Sequence, residues 1–316
     1  METFIKTKAR QLGLNACGIA KAEPIEEEVK QYYLHWIAGR HHGEMSYLER
    51  NLEKRFDPTL LVPGCKSLIV CALNYFPSQP LDGSRYRIAY YAYGKDYHRV
   101  LKNKLHLLLH ASEEKRQQDS LLSNELPASE QTFKSRVFVD SAPVLERYWA
   151  QKAGLGWIGR NRQLILPGAG SFFFLGILAT DMELRPDAPC PNRCGKCQAC
   201  VEACPTKALG DTFDARRCVS YLTIEQKSPI PSAFSASIEP RIYGCDSCQT
   251  VCPWNRFARP TDEESFTPCE RLRQMSDADW ENLTESQFAE LFADSAVQRA
   301  GYDGLKRNIQ EAKKRK

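Results

Sequence analysis

Eight cysteines between residues 194 and 253 carry the chemistry that is plainest in this chain. Cys194, Cys197, Cys200 and Cys204-Pro205 read C-x2-C-x2-C-x3-C-P, Cys218 follows, and Cys245, Cys248 and Cys252-Pro253 complete the set. The first run has the bacterial ferredoxin spacing, in which the fourth cysteine of a run ligates the other iron–sulfur cluster. Short gaps are the reason. Three thiolates two residues apart on a tight loop wrap three irons of a cubane, while a cysteine before proline opens a helix and points elsewhere. The second run is one cysteine short, and Cys218 stands upstream to replace it. Two four-iron clusters (4Fe–4S) are therefore expected, one on Cys194, Cys197, Cys200 and Cys252, the other on Cys204, Cys218, Cys245 and Cys248. Structural zinc is the plainer alternative, since C-x2-C pairs also hold it. Zinc closes at four ligands, however, and gives no reason for three cysteines at successive x2 spacing or for proline after both Cys204 and Cys252. A disulfide framework fits less well, because nothing at the N-terminus resembles a secretory signal and 316 residues need no staples. Cys17, Cys65, Cys71, Cys190 and Cys269 fall outside the spacing and read as small buried residues or bystander thiols.

Ahead of this module lie about 185 residues that must position whatever the clusters serve. Phe4, Ile5, Ala9 and Leu12 recur at helical spacing, and Ala16 to Ala20 reads as a short buried strand. Pro24 and three glutamates open a second helix, ended by Gly39. Arg55 sits where a helix runs into a turn and, taken alone, is a surface residue or a cap. Ser67 to Tyr75 is a nearly continuous apolar run, as a central strand requires. Ile88 to Tyr93 reads as another strand, and Gly94-Lys95-Asp96-Tyr97-His98 opens a long helix with Leu101, Leu105, Leu108 and Leu109 inward. His98, His106 and His110 share that helix's surface, with no acidic or cysteine partner for a metal in view. After a polar loop over 119–132, Lys134 to Asp140 alternates as a half-buried strand does, and Ser141 and Pro143 start the next helix. Asp140 is then either a helix cap or a carboxylic acid at a strand end facing a pocket. Residues 154–161 make a glycine turn without the dinucleotide pattern. Leu164 to Leu166 and Ser171 to Thr180 suggest a hairpin around Pro167-Gly168-Ala169-Gly170, where Gly170 admits either a turn or a ligand.

Composition bounds the rest. Hydrophobic residues at 42% and charged residues at 26% are those of an ordinary soluble globular chain. The longest apolar run, Phe172 to Ala179, is far short of a membrane span. A reducing, cytoplasmic location without a membrane partner follows, and a monomer is expected. Net charge is +4, of which residues 305–316 contribute +5, leaving −1 for the body. The body thus has no bulk footprint for nucleic acid. The basic end reads either as a contact for a phosphate backbone or, more commonly for such runs, as a solvated, frayed helix end.

Several stretches taken together resemble one family. They are Arg55 in EKRFDP, Gly94 to His98, Val139-Asp140, Gly154 to Asn161 (GLGWIGRN), the segment from Cys218 to Glu225, and Tyr243 to Asn255. In order and spacing, over about residues 1–260, they are similar to the epoxyqueuosine reductases, cobalamin-dependent enzymes of transfer RNA (tRNA) modification akin to reductive dehalogenases. The resemblance implies an α/β (α+β) fold: a nitroreductase-like cobalamin-binding and substrate-binding domain over 1–185, a ferredoxin-like two-cluster domain over 186–260, and a helical tail over 261–316. It implies cobalamin facing the epoxide of epoxyqueuosine at the wobble position, with electrons from an unidentified donor passing through two clusters. Asp140 matches the family's proton donor, which would require a raised pKa beside the corrin. Arg55 matches a cobalamin contact, and Asn161, Gly170 and Ser171 lie in stretches like the cofactor-lining ones. Arg160 stands where many relatives have lysine. Some relatives carry a helical-repeat extension that helps hold RNA. This chain stops without one, so its grip is expected from the body and the basic end. An electron-carrier subunit and a corrinoid dehalogenase acting on a small halide are the competing readings.

Overall fold

The computed structural model describes residues 1–122 and 134–314. Its strands, in chain order, are β1 (Ala16–Lys21), β2 (Ser67–Asn74), β3 (Arg87–Ile88), β4 (Ser135–Phe138), β5 (Trp157–Ile158), β6 (Leu164–Ile165), β7 (Phe173–Thr180) and β8 (Arg241–Tyr243). Four of them form an antiparallel sheet in the order β1-β2-β7-β4. Side chains alternate across a strand, and β2 divides accordingly. Ile69, Cys71 and Leu73 face one layer, and Leu68, Val70 and Ala72 the other. Helices α1 (Glu2–Gln11) and α4 (Tyr97–Leu122) cover the first face through Ile5, Ala9, Leu101, Leu105 and Leu108. Helices α2 (Glu27–Ala38), α3 (Leu52–Phe56) and α5 (Glu146–Lys152) cover the second with Val29, Phe56, Trp149 and Ala150. Every residue of β2 is buried, which is why its sequence lacks alternation.

Three local expectations change. Only Arg87–Ile88 of the aromatic run is strand, because it pairs with the short β8 and then turns through a 3-10 helix at Tyr90–Ala92. Leu164 to Thr180 is no hairpin, because β6 pairs back onto β5 while β7 lies between β2 and β4. The helix expected from Ser141 begins at Glu146, so Asp140 does not cap it. The polar loop expected over 119–132 lies mostly outside the described residues, and α4 runs on to Leu122.

The stretches 1–185, 186–260 and 261–316 share a second core. Tyr86, Ile88, Ala92 and Tyr93 meet Ile242 and Tyr243, and Leu272, Trp280, Phe288, Phe292, Leu305 and Ile309 close over them. The C-terminal helix, Gly301–Lys313, is packed rather than frayed. Its cations serve the structure. Arg307 donates to the carbonyls of Leu222, Gln226 and Ser228, and Lys306 to those of Glu281 and Leu283. Lys313 and Lys314 pair with Glu281 and Glu311. Asn308, fully buried, donates to Thr223 O at 2.7 Å and Ile242 O at 2.8 Å, tying that helix to the cysteine-rich module. Each buried carbonyl left without a partner costs about 1–3 kcal/mol. Asn308→Ala is therefore expected to lose about 2 kcal/mol or more in chemical unfolding, and a loss under about 0.5 kcal/mol would remove this tie from the account.

Candidate active site

The cysteines gather into two adjoining groups. Cys194, Cys197, Cys200 and Cys252 line one cavity of about 120 Å³, with Arg160 and Trp254 at its border. That is several times the ~30 Å³ share of one water, whereas a zinc ion held at about 2.3 Å by four sulfurs leaves no such space. Among the described residues no three His, Cys, Asp or Glu side chains converge as a single metal ion requires. Cys204, Cys218 and Cys248 pack together beside Cys200, and Cys245 lies close enough for its charge to act on Cys218 and Cys248. Backbone amides point at several of these sulfurs, as metal-bound thiolates need. The Ala208 N–H donates to Cys204 Sγ at 3.2 Å, and burial, which opposes ionisation, is outweighed there by the N–H groups of Thr206, Leu209 and Ala208. Elsewhere burial wins and pushes the Cys218 thiol up to about 11. The donor set fits two multi-iron clusters better than ions.

Asn161, Gly170 and Ser171 lie at the seam between this module and the sheet. Asn161 Nδ2 donates to Cys248 O at 3.3 Å, and Asn161 borders the first cysteine cavity. Gly170 has φ +87°, and a Cβ there would stand 2.2 Å from Asn255 Oδ1, so glycine is required by close approach as well as by the turn. Ser171 N–H donates to Asn255 Oδ1 at 2.6 Å, and its hydroxyl to Gln249 Oε1 at 3.0 Å. These three residues meet the stretch that carries Cys248 and Cys252.

Asp140 is elsewhere, just past β4, in a left-handed conformation with φ +52°. Aspartate tolerates that region better than most residues, at a cost of about 1–2 kcal/mol. Its side chain keeps 61% of its surface open although enough protein crowds it for burial to oppose its ionisation, which describes a side chain at the bottom of an open recess. The Tyr97 hydroxyl donates to Asp140 Oδ2 at 2.6 Å, and His98 Nε2 lies 3.6 Å from the same oxygen. Asp96 holds the other nitrogen of His98 at 2.7 Å, and Asp140 N–H donates to Glu146 Oε1 at 2.7 Å. The Asp140 charge reaches Tyr47, an exposed ring whose carbonyl accepts from Arg55 Nη2 at 3.4 Å. Arg55 is buried, leans on the Tyr33 ring, has no carboxylate partner among the described residues, and leaves its Nε unpartnered. A buried cation without a counter-charge is costly. It fits a wall prepared for a polar, electron-rich ligand. The structure thus brings Arg55 and Asp140 to the two sides of Tyr47, and Asn161, Gly170 and Ser171 to the cluster seam.

The protein's own ionisable groups set the protons around Asp140. The His98 imidazolium, and after it the Tyr97 hydroxyl, hold Asp140 below the usual carboxylate range against the effect of burial. Burial alone would pull His98 down, but Asp140 and Asp96 outweigh it and hold it up to about 9. Burial, then the Asp140 charge, pushes Glu146 up to about 8. At neutral pH the protons therefore sit on His98 and Glu146, flanking an ionised Asp140. Tyr47 and Glu146 were not singled out in the sequence, and His98 was legible as part of a helix start and of the 94–98 stretch.

Comparison with known proteins agrees with this geometry. Residues 193–255 match the family model described as "4Fe-4S double cluster binding domain", and residues 55–141 match "Epoxyqueuosine reductase QueG, DUF1730". Eight cysteines in two adjoining sets under an α/β layer place the chain in the class of two-cluster iron–sulfur redox proteins. It is 46% identical over 306 residues to the epoxyqueuosine reductase of Leadbetterella byssophila, covering 96% of each chain. With that of Escherichia coli K12 it shares 39% identity over 313 residues, 96% of this chain and 78% of that one. A crystal structure of an epoxyqueuosine reductase with an epoxyqueuosine-modified stem loop of tyrosine tRNA superposes with TM-score 0.82 at 28% identity, over 98% of this chain and 80% of that one. The Streptococcus thermophilus epoxyqueuosine reductase gives 0.83 at 29% identity, over 99% and 80%. The chain belongs to the epoxyqueuosine reductase family.

The recess charges are measurable without turnover. Since the folded pKa of His98, about 9, lies above the unfolded ~6.5, its ion pairs contribute stability below about pH 6.5 and lose it as pH rises through about 9. Asp140→Asn removes one of the two carboxylates, so NMR titration of His98 is expected to show its pKa falling toward the unfolded value. An unchanged titration would break the proposed pairing.

Proposed function

We propose that this chain reduces the epoxide of epoxyqueuosine in the anticodon of a tRNA to the alkene of queuosine, with release of water. The balance is two electrons and two protons for each epoxide. The observation that carries the reading is the Asp140 recess, an accessible carboxylate beside a protonated His98, in a chain aligned almost end to end with named epoxyqueuosine reductases. Cys194, Cys197, Cys200 and Cys252 would hold one cluster and Cys204, Cys218, Cys245 and Cys248 the other, and Arg55 and Asp140 would contact cobalamin. When bound, these groups supply single electrons and a reducing cobalt centre.

The protein's own part is proton delivery. A ligand entering the recess strips water from Asp140, which raises its pKa and draws it toward that of His98. Asp140 then takes the proton from His98 and presents it to the departing oxygen, while Tyr97 fixes its orientation and Asp96 holds the imidazole. Glu146 keeps a second proton nearby for the water that leaves. The exposed Tyr47 ring at the rim is of the kind on which unpaired RNA bases stack. Four of the basic residues at the C-terminal end are committed to contacts within the fold, which turns attention for RNA binding to the body around the recess. Among the described residues no helix is long and apolar enough to cross a membrane. A cytoplasmic enzyme working on cytoplasmic RNA is the consistent reading.

The test is anaerobic reconstitution with iron, sulfide and cobalamin, followed by epoxyqueuosine-containing tRNA and a strong reductant, with nucleosides resolved by mass spectrometry. Queuosine formation supports the reading. Cobalamin binding with indifference to RNA would favour the small-halide dehalogenase, and no cobalamin binding the electron carrier. Asp140→Asn is expected to bind both cobalamin and RNA and to lose about a hundred- to ten-thousand-fold in turnover; near-normal turnover would remove its role. Turnover should fall as pH rises through about 9 with His98. Asp96→Asn, which removes a charge holding that proton, should move this limb to lower pH, and an unmoved limb would assign it to another group.

A further inference from the structure

We propose that the outward side of the first cysteine set is the docking face for a small acidic protein that donates single electrons, with Arg160, Arg193, Lys196 and Arg256 as its contacts. The inference rests on the two-cluster reading above and extends it to the partner that loads the clusters. Access is the first argument. Cys197 is exposed, whereas none of Cys204, Cys218, Cys245 and Cys248 is. Cys200 adjoins Cys248, so the set with the exposed cysteine is in contact with the second. Electrons that arrive from outside meet the first set.

Charge is the second argument. The segments 156–163, 189–201 and 251–260 supply most of that cavity's lining, with Ile165 besides. They hold six arginines and lysines and no aspartate or glutamate, the nearest acid in the chain being Glu202. Arg160, Arg193, Lys196 and Arg256 are all exposed, and none has a carboxylate partner among the described residues. Arg160 donates to Gly195 O at 2.8 Å, which fixes it on the loop that bears Cys197. Cations left unpaired around one opening repel each other, and an acidic partner relieves that repulsion while being steered to the opening. The third segment also carries Val251 and Phe257, 41% and 38% exposed, and Arg256 covers the Phe257 ring at 4.6 Å. Exposed apolar side chains among charged ones suit the brief, small-area contacts of electron carriers. An RNA chain is also polyanionic, but the base that reacts must reach Asp140, Tyr47 and Arg55, none of which lies in these segments. Each encounter moves one electron from the reduced carrier to the chain, with no bond made or broken and no proton transferred. Two encounters supply one epoxide.

The experiment uses the fully reconstituted chain, reduced flavodoxin as the acidic probe and photoreduced deazaflavin as a small control, with cluster bleaching followed by anaerobic stopped flow. Reduction by flavodoxin is expected to slow about tenfold or more in R193E/K196E/R256E, and to slow in the unmutated protein as salt is raised. Reduction by deazaflavin and iron content should stay as they were. A salt-independent wild-type rate, or a variant that flavodoxin reduces at the wild-type rate, would overturn the proposal. So would a variant that loses affinity for an anticodon stem-loop RNA while flavodoxin reduces it normally, since the face would then belong to RNA. Wild-type protein that takes up no iron removes the parent reading and this one together; iron present with the flavodoxin rate unmoved removes this one alone.

Discussion

The Asn255 amide joins the two halves of the molecule through several hydrogen bonds at once. Its oxygen accepts from the Ser171 N–H, and its nitrogen donates to the Ser171 hydroxyl and the Gln249 carbonyl, directly beside Gly170. Ser171 leads into β7, which is central to the sheet, and Asn255 follows Cys252 on the cluster loop. A buried polar knot of this kind is rigid when fully satisfied and destabilising when broken. The distance from cysteines to sheet is therefore fixed by hydrogen bonds, whose geometry is narrow, rather than by apolar contact, which tolerates sliding.

Beyond the seam, aromatic side chains continue the link. The Tyr243 hydroxyl of β8 meets the Tyr91 hydroxyl at 3.1 Å, the Tyr91 ring lies 6.2 Å from that of Tyr97, and Tyr97 bonds Asp140. Tyr97 also stacks flat on Phe174 of β7 at 4.1 Å. The acid that ends β4 is thus positioned by the central sheet and by the strand that carries the cysteine module. The left-handed turn at Asp140 is held by the same neighbours: the Tyr97 hydroxyl donates to its carboxylate, His98 forms an ion pair with it, and its N–H donates to Glu146.

Much of this was legible in the sequence. Cysteine spacing is a local code, because thiolates two residues apart must face one object, and the chain folds all eight into two neighbouring sets. The buried strand Ser67–Asn74 and the long helix after Gly94 were readable from apolar content and periodicity. What escaped depends on contacts between distant residues. No pattern near Tyr47 announces that it will stand between Arg55 and Asp140. The charge that holds Asp140 ionised among the protein's own groups was hidden for a similar reason: the imidazolium of His98 comes from the start of a helix more than forty residues earlier. The apparent hairpin around Gly168 failed because both flanking strands found better partners. The tail read as a solvated basic end because Asn308 and Arg307 bond carbonyls that no local window contains.

The shared second core has a bearing on how the protein is made. Strand β3 waits for β8, and the wall over both is completed only by the helix Gly301–Lys313. At ~5–20 residues per second on the ribosome, several seconds separate emergence of the last cysteine from emergence of that helix. During that interval the second core stands open, so the stretches before and within the cysteine module finish packing only after the last helix has left the ribosome.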